Sequence, residues 1–203
     1  MTQKIYLASR SPRRRELLQQ IGVRFETLLL RERPPRGADV NEAPLAGEDR
    51  ASYVTRLARQ KAKSGWTRVE QRGLPARPVL AADTAVVLDG EIFGKPDHAE
   101  HAAAMLRRLS GREHQVLTAV AVAFGRRVEM AMSATLVEFG VIEEPAIAEY
   151  VFTGEPLDKA GGYAIQGRGG VFVKRLSGSY SGVVGLPLLE TTVLLRRFEG
   201  EPS

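Results

Sequence analysis

Val79-Leu80-Ala81-Ala82-Asp83-Thr84-Ala85-Val86-Val87-Leu88 is the stretch that decides the fold. A run this apolar predicts a central strand of a sheet. An aspartate in its middle is costly to bury unpaired. Asp83 therefore needs a partner, and a divalent cation is a natural one. The alternative is a structural carboxylate that accepts backbone or arginine hydrogen bonds. Asp89-Gly90, directly after the run, is a hairpin signal.

Working outward toward the N-terminus, Ala51–Lys63 reads as a helix with Tyr53, Val54, Leu57 and Ala58 on one face, closed by Gly65. Gly73–Pro78 is a loop. Lys4–Ala8 reads as a short buried strand and Val23–Leu30 as a second one. Between them, Ser11-Pro12 starts a helix with a capping hydroxyl and a ring pre-set for the first turn. Leu17, Leu18 and Ile21 form its apolar face and Gly22 ends it. Arg31–Asp49 carries Pro34, Pro35, Gly37, Pro44 and Gly47, and so predicts a long loop of the kind that serves a site.

Toward the C-terminus, Asp97 is expected to cap a helix running to Leu109, with Gly111 past its end. His114–Phe124 and Val128–Phe139 read as two long strands joined by Gly125-Arg126-Arg127. Glu143–Phe152 reads as a helix, Tyr163–Ile165 and Val171–Leu176 as short strands, and Pro187–Phe198 as a last helix. Neither an internal repeat nor a low-complexity tract is present. This mixed order predicts an α/β protein with a mixed sheet, organised as a single domain over residues 1–203.

The chain has 203 residues, with 29 Lys+Arg against 24 Asp+Glu, a net charge of +5. The excess is local: residues 1–36 hold nine basic and three acidic residues (+6), and residues 37–203 hold 20 and 21 (−1). One electropositive region fits better than a basic coat for nucleic acid. The chain contains no cysteine, which excludes a disulfide framework, a thiolate zinc site and a cysteine nucleophile. No apolar run approaches the roughly 20 residues of a membrane span. The N-terminal segment, six apolar or small residues and then Arg13-Arg14-Arg15, is too short and in the wrong order for a secretory signal. The expectation is a soluble cytoplasmic protein with no membrane partner.

Several familiar motifs fail on inspection. Gly90-Glu-Ile-Phe-Gly94-Lys95-Pro96 is one residue short of a Walker loop and has proline where the hydroxyl belongs. Gly167-Arg-Gly169-Gly170 lacks the third glycine of a dinucleotide fingerprint, that position being Phe172. Gly178-Ser-Tyr180-Ser-Gly182 has tyrosine where a nucleophile elbow needs serine. His98 and His101 stand at helical spacing that would suit a metal, but a solvated helix face explains them better.

Four constellations remain. Leu7-Ala-Ser9-Arg10-Ser11-Pro12-Arg13-Arg14-Arg15 places hydroxyls and arginines at the mouth of a helix, where free N–H groups and the helix dipole favour an anion. Arg13 and Arg14 add bidentate donors for phosphate. Asp83 is the second, with Glu42 of Asp39-Val-Asn41-Glu42 as a candidate second carboxylate. Lys61 and Lys95 are the third, notable because the chain has only six lysines; surface solubilisation is their alternative. The fourth is Gly154-Glu155-Pro-Leu-Asp158-Lys159-Ala-Gly161-Gly162-Tyr163-Ala-Ile-Gln166-Gly167, which could set Gln166 against a nucleobase edge, or be an ordinary turn-rich connection.

Taken in order, LASRSPRRREL at 7, LARQKA at 57, AADTAVV at 81, GKP at 94, LSGREHQVLTAV at 109, GEPLDKAGGYAIQG at 154 and GSYSGVVGLP at 178 resemble the Maf-like nucleoside triphosphate pyrophosphatases, relatives of the house-cleaning inosine triphosphatases. The resemblance covers almost the whole chain. It implies a twisted mixed sheet of long strands flanked by helices, in two lobes around a central cleft. It also implies hydrolysis of a nucleoside triphosphate between the α and β phosphates, with a divalent cation, Mg²⁺ or Mn²⁺. DKAGGYAIQG resembles the branch acting on dTTP and UTP, whose specificity positions match Arg13, Thr84 and Gln166. Asp83 matches the catalytic acid/base, and Glu42, Lys61 and Lys95 match charged residues of the site. Where the family often has Asp-Glu, this chain has Asn41-Glu42.

On that resemblance, Glu42 and Asp83 would hold the metal, and Asp83 would set the attacking water. Ser9, Arg13, Arg14, Lys61 and Lys95 would bind the phosphates and the leaving pyrophosphate. Thr84 and Gln166 would bond the pyrimidine. The other N-terminal arginines (Arg15, Arg24, Arg31, Arg33, Arg36) are expected to be solvated and to steer the anion. Two rivals stand beside this expectation. One is a 7-methyl-GTP pyrophosphatase of the same family. The other is a nucleic-acid-binding regulator linked to septum formation, against which the scarce aromatics count. No stable nucleic-acid partner is expected. Members of the family are often dimeric, so a homodimer stays open.

Overall fold

The structure, a computed structural model, describes residues 4–31 and 38–200. Pro34, Pro35, Gly37, Arg33 and Arg36 lie outside the described residues. In chain order the elements are β1 (Ile5–Leu7), α1 (Pro12–Gln20), β2 (Phe25–Thr27), α2 (Arg50–Gln71), β3 (Val79–Leu88), β4 (Glu91–Phe93), α3 (Ala99–Leu109), β5 (Glu113–Phe124), β6 (Arg127–Phe139), α4 (Glu144–Phe152), β7 (Val173–Ser177), α5 (Tyr180–Val184) and α6 (Leu188–Arg196). Three short 3-10 segments, Glu155–Asp158, Ala160–Gly162 and Arg168–Phe172, lie between α4 and β7.

The strands pair in the order β2-β1-β3-β5-β6-β7, with β4 paired to β3, a seven-stranded sheet. β1 runs parallel to β2 (Ile5 opposite Phe25) and to β3 (Tyr6 opposite Val79). β3 with β4 and β6 with β7 are antiparallel. The sheet is therefore mixed and β3 is interior, as its apolar sequence requires. Among the described residues no helix is long and apolar enough to cross a membrane.

Two compact units divide the chain. The first comprises Met1–Asp83, Thr118–Ser133 and Gly185–Ser203, the second Thr84–Leu117 and Ala134–Val184. Three of the four boundaries fall inside strands, so β3, β5 and β6 each give residues to both units, and the fourth follows α5.

In the first unit, β1 and β2 are shorter than the expected Lys4–Ala8 and Val23–Leu30. Pro12 opens α1 as expected, with Ser11 at the cap position, but the Ser11 side chain makes no capping bond. Its N–H donates instead to Ser9 Oγ at 3.2 Å. α2 corrects the sequence expectation most. Asp49 caps it by accepting from the Ala51 and Ser52 N–H groups, and the helix then runs 22 residues, straight through Gly65. Gly65 is not a stop signal but a point of close approach: a Cβ there would stand 2.6 Å from Val79 Cγ1 and 3.2 Å from Ala8 Cβ. Only glycine lets α2 lie so near those side chains.

In the second unit, Asp89 and Gly90 both have positive φ, 50° and 78°. A two-residue I′ hairpin needs this pair, and it joins β3 to β4. The cap of α3 is His98 rather than Asp97: His98 Nδ1 accepts the His101 N–H at 3.2 Å, and His101 Nδ1 in turn accepts the Asp97 N–H. A cap needs an acceptor aimed at the first free N–H groups, and an imidazole nitrogen supplies one. Tyr163–Ile165 forms no strand; it lies in a turn region between 3-10 segments. β7 starts two residues later than expected, α5 was not expected, and α6 stops at Arg196. Val86, Phe93, Leu106, Leu109, Phe139 and Tyr163 belong to the core of this unit.

Candidate active site

β3 carries Asp83 at the edge of the first unit, only 9% exposed. Its partner is a lysine from α2, not the backbone or arginine bonds named as the alternative. Lys61 Nζ stands 2.6 Å from Asp83 Oδ1 and 2.7 Å from Glu42 Oε1. Lys61 is thus no solubilising surface charge: its side chain is 18% exposed and joins two carboxylates. Helix and strand put the first two groups together because α2 packs over β1 and β3, and the loop before α2 brings Glu42.

Arg14, half-buried at the start of α1, donates from Nε to the Gly185 carbonyl at 2.7 Å and from Nη1 to Ser9 Oγ at 3.3 Å. Burial pushes its guanidinium below the ordinary value. The charges of Asp83 and Glu42 oppose that shift, and Arg13's like charge adds to it. An arginine stays protonated through such a shift. Ser9, Arg13, Arg14, Glu42, Lys61 and Asp83 therefore form one electrostatic neighbourhood in the first unit.

Residues not assigned to the site in the sequence, Arg56, Arg68 and Glu48 among them, hold the loop in place. Asp39 accepts from Arg68 (2.6 and 2.8 Å), from the Arg31 N–H (2.8 Å) and from Arg31 Nε (3.2 Å). Burial alone would raise its pKa, but these donors bring it below the usual carboxylate range. Arg31 is thus paired, not freely solvated. Arg56 binds Glu48 with two bonds and also reaches the Asn41 and Ala43 carbonyls. Tyr53 donates to the Glu42 carbonyl at 3.0 Å, and burial, then the charges of Asp83 and Glu42, raise its pKa. Asn41 Oδ1 accepts the Ala43 N–H at 3.0 Å, a local turn bond. Tyr53, Arg56 and Arg68 all lie on α2, but one-dimensional spacing does not say which loop group each meets.

Thr84, Lys95 and Gln166 belong to the second unit. Thr84 is partly buried; Lys95 and Gln166 are exposed. The turn bearing Lys95 is tied to the glycine-rich passage by the Gly161 N–H, which donates to the Gly94 carbonyl at 3.0 Å. In that passage Glu155 accepts from Tyr150 Oη (2.8 Å), the Arg168 N–H (3.1 Å) and the Gly169 N–H (3.2 Å). Burial would raise its pKa; those bonds and the charge of Lys159 bring it below the usual range. Elsewhere in the second unit, buried His114 bonds Tyr163 Oη through Nε2 at 2.8 Å, while its Nδ1 has no hydrogen-bond partner. Burial pushes the His114 pKa down to about 4.

The donor set suits a hard divalent cation. Two carboxylates converge on a single ammonium, so both already face one position of positive charge. Mg²⁺ and Mn²⁺ favour such oxygen ligands and commonly take one or two carboxylates, with phosphate and water completing the shell. Among the described residues no group of three or more His, Cys, Asp or Glu could hold a metal, so the fit is to an open, substrate-completed site and not to a closed protein cage.

The first unit of this mixed α/β protein thus brings a strand carboxylate to a helix lysine, in the field of an arginine-bearing helix start. The chain belongs to the Maf-like protein family, whose model matches residues 4–198. Relatives named dTTP/UTP pyrophosphatase include one from Nitrosospira multiformis, 57% identical over 95% of this chain and 93% of its own. One from Nitrosomonas europaea is 56% identical over 94% and 92%, and one from Dechloromonas aromatica is 52% identical over 98% and 99%. A solved structure, that of the Staphylococcus aureus Ham1 protein, aligns with 98% of this chain and all of that one at 14% identity and a TM-score of 0.49.

Proposed function

We propose that this protein is a cytoplasmic nucleoside triphosphate pyrophosphatase that cleaves dTTP and UTP between the α and β phosphates, giving the monophosphate and pyrophosphate. The observation that carries the proposal is its identity of 52–57% with relatives named dTTP/UTP pyrophosphatase, over more than nine-tenths of both chains. One domain spanning residues 1–203 goes with it, since a single family model covers residues 4–198 and each unit is assembled from separate stretches of chain.

The chemistry follows from the charged cluster. Asp83 is the general base: Lys61 holds Oδ1, which leaves Oδ2 to orient a water and take its proton as the water's oxygen bonds the α phosphorus. The α–β bridging oxygen leaves with pyrophosphate, and net one water is consumed. Ser9, Arg13, Arg14 and Lys61 would bind phosphate oxygens and offset charge building on the leaving group, the role proposed for Lys95 as well. Glu42 and Asp83 would hold the divalent cation, which supplies charge neutralisation of the triphosphate. Thr84 and Gln166 would bond the pyrimidine edge, each able to donate and to accept. A base that left those groups unpaired would be discriminated against.

A panel of nucleoside triphosphates, with Mg²⁺ or Mn²⁺ and pyrophosphate release as the readout, tests the substrate. dTTP and UTP are expected to lead. Preference for 7-methyl-GTP, or salt-sensitive DNA binding without hydrolysis, would replace this proposal with one of its rivals.

A further inference from the structure

Gln166 sits on a short turn whose two sides lead back to the same pair of side chains. The Gly167 N–H donates to the Ala164 carbonyl at 3.1 Å, so Ile165 and Gln166 are the corners of the turn. On its near side the Ala164 N–H donates to Tyr150 Oη at 3.0 Å. On its far side the Arg168 and Gly169 N–H groups donate to the two oxygens of Glu155 at 3.1 and 3.2 Å. Tyr150 Oη closes the circuit by donating to Glu155 Oε1 at 2.8 Å. The packing leaves little slack. A Cβ on Gly169 would stand 2.7 Å from Tyr150 Oη, one on Gly170 2.6 Å from the Ile165 carbonyl oxygen, and one on Gly167 would collide with the Glu155 carboxylate. Gln166 itself is exposed at the tip.

We propose that Glu155, working through the Tyr150 hydroxyl, is the positioning residue that fixes the Gln166 turn for recognition of the pyrimidine base. The inference rests on the base-contacting role proposed for Gln166 and adds to it what makes that side chain selective. An exposed glutamine on a loose loop adapts to any base edge. Held by four bonds through one carboxylate and one hydroxyl, it presents its amide in one orientation, and a mismatched base meets donors and acceptors that cannot turn to suit it.

The test compares Glu155→Gln, Tyr150→Phe, Gln166→Ala and the double variant Glu155→Gln/Gln166→Ala. Glu155→Gln keeps the shape but sets an NH₂ against a backbone N–H. Tyr150→Phe, which removes only the hydroxyl, is the milder probe should the first variant fold poorly. Three quantities are read: kcat/KM for UTP relative to GTP, the inhibition constant of inorganic tripolyphosphate, and amide exchange at Ala164, Arg168 and Gly169. In both single positioning variants the UTP preference is expected to fall roughly tenfold, through KM more than kcat, as loss of a bond to a charged group would give. Exchange at those three amides is expected to rise, and tripolyphosphate inhibition to stay unchanged. The double variant is expected to be no less selective than Gln166→Ala alone. If Gln166→Ala loses the preference while Glu155→Gln and Tyr150→Phe keep it, the positioning role is overturned and the base contact stands. If Gln166→Ala keeps the preference, the base contact fails and the positioning role fails with it. Weakened tripolyphosphate inhibition in the positioning variants would mark a general structural effect and would also overturn the proposal.

Discussion

Asp83 shows how much one residue can say and where it stops. A carboxylate inside an apolar strand signals a partner, and the partner is there at 2.6 Å. The sequence suggested a divalent cation for it, and what was not legible is that Lys61, one helix away, meets the same carboxylate. From the residues alone Lys61 drew attention only by scarcity, because chemistry at a helix face depends on what the helix is packed against; the family resemblance added it to the charged site residues. Asp83→Asn is expected to lower turnover by orders of magnitude while leaving the melting temperature within a few degrees; near-normal dTTP hydrolysis by that variant would remove Asp83 from the general-base role. His114 makes a different prediction. Its pKa is about 4 in the folded chain against about 6.5 unfolded. Between those values the unfolded chain binds the extra proton, so stability is full above pH 6.5 and falls as pH drops toward 4. The difference between the two values limits that loss to roughly 3–4 kcal/mol at most. Melting curves from pH 7 to pH 4 should therefore show a shallower slope for His114→Phe than for the unaltered protein; parallel slopes would contradict it.

At the scale of elements, the interior strand, the two long strands and the Pro12 start of α1 were readable because each has a local cause: an unbroken apolar run, a short turn, a ring pre-set for the first helical turn. α2 was not, because Gly65 looks like a terminator until the side chains it must clear are known. Replacing it with alanine should raise helix propensity by about 1 kcal/mol, yet the added carbon would sit 2.6 Å from Val79 Cγ1. Overpacking of that kind costs about 1–3 kcal/mol, so Gly65→Ala is expected to melt several degrees lower; a higher melting temperature would show that α2 can shift away from Val79. The cap of α3 was misassigned by one residue for a similar reason. Asp97 has the commoner capping side chain, and only the backbone path shows that His98 is the one aimed at the free N–H. The segment 160–172 was read as partly strand, although its glycines and its bonds to Tyr150 and Glu155 make it a series of turns.

For the whole molecule, the excess of positive charge in residues 1–36 gains a location. Arg14 is fixed between Ser9 and the Gly185 carbonyl, in the field of Asp83 and Glu42, and Arg31 is engaged by Asp39. The basic segment is thus partly built into the site's own scaffold, which suits one small polyanion better than a long nucleic acid. The absence of cysteine excludes thiolate ligands for any cation. The mixed sheet was legible from the order of elements; two lobes were expected only through the family resemblance, and which stretches make up each unit was not legible, because that depends on how strands β3, β5 and β6 are shared. The most direct measurement is the ³¹P spectrum of the products when the protein is given UTP with Mg²⁺ or Mn²⁺. Equal amounts of UMP and pyrophosphate are expected, with both absent for Asp83→Asn. UDP with inorganic phosphate would place the cut at the wrong bond, and unchanged UTP would deny the activity altogether.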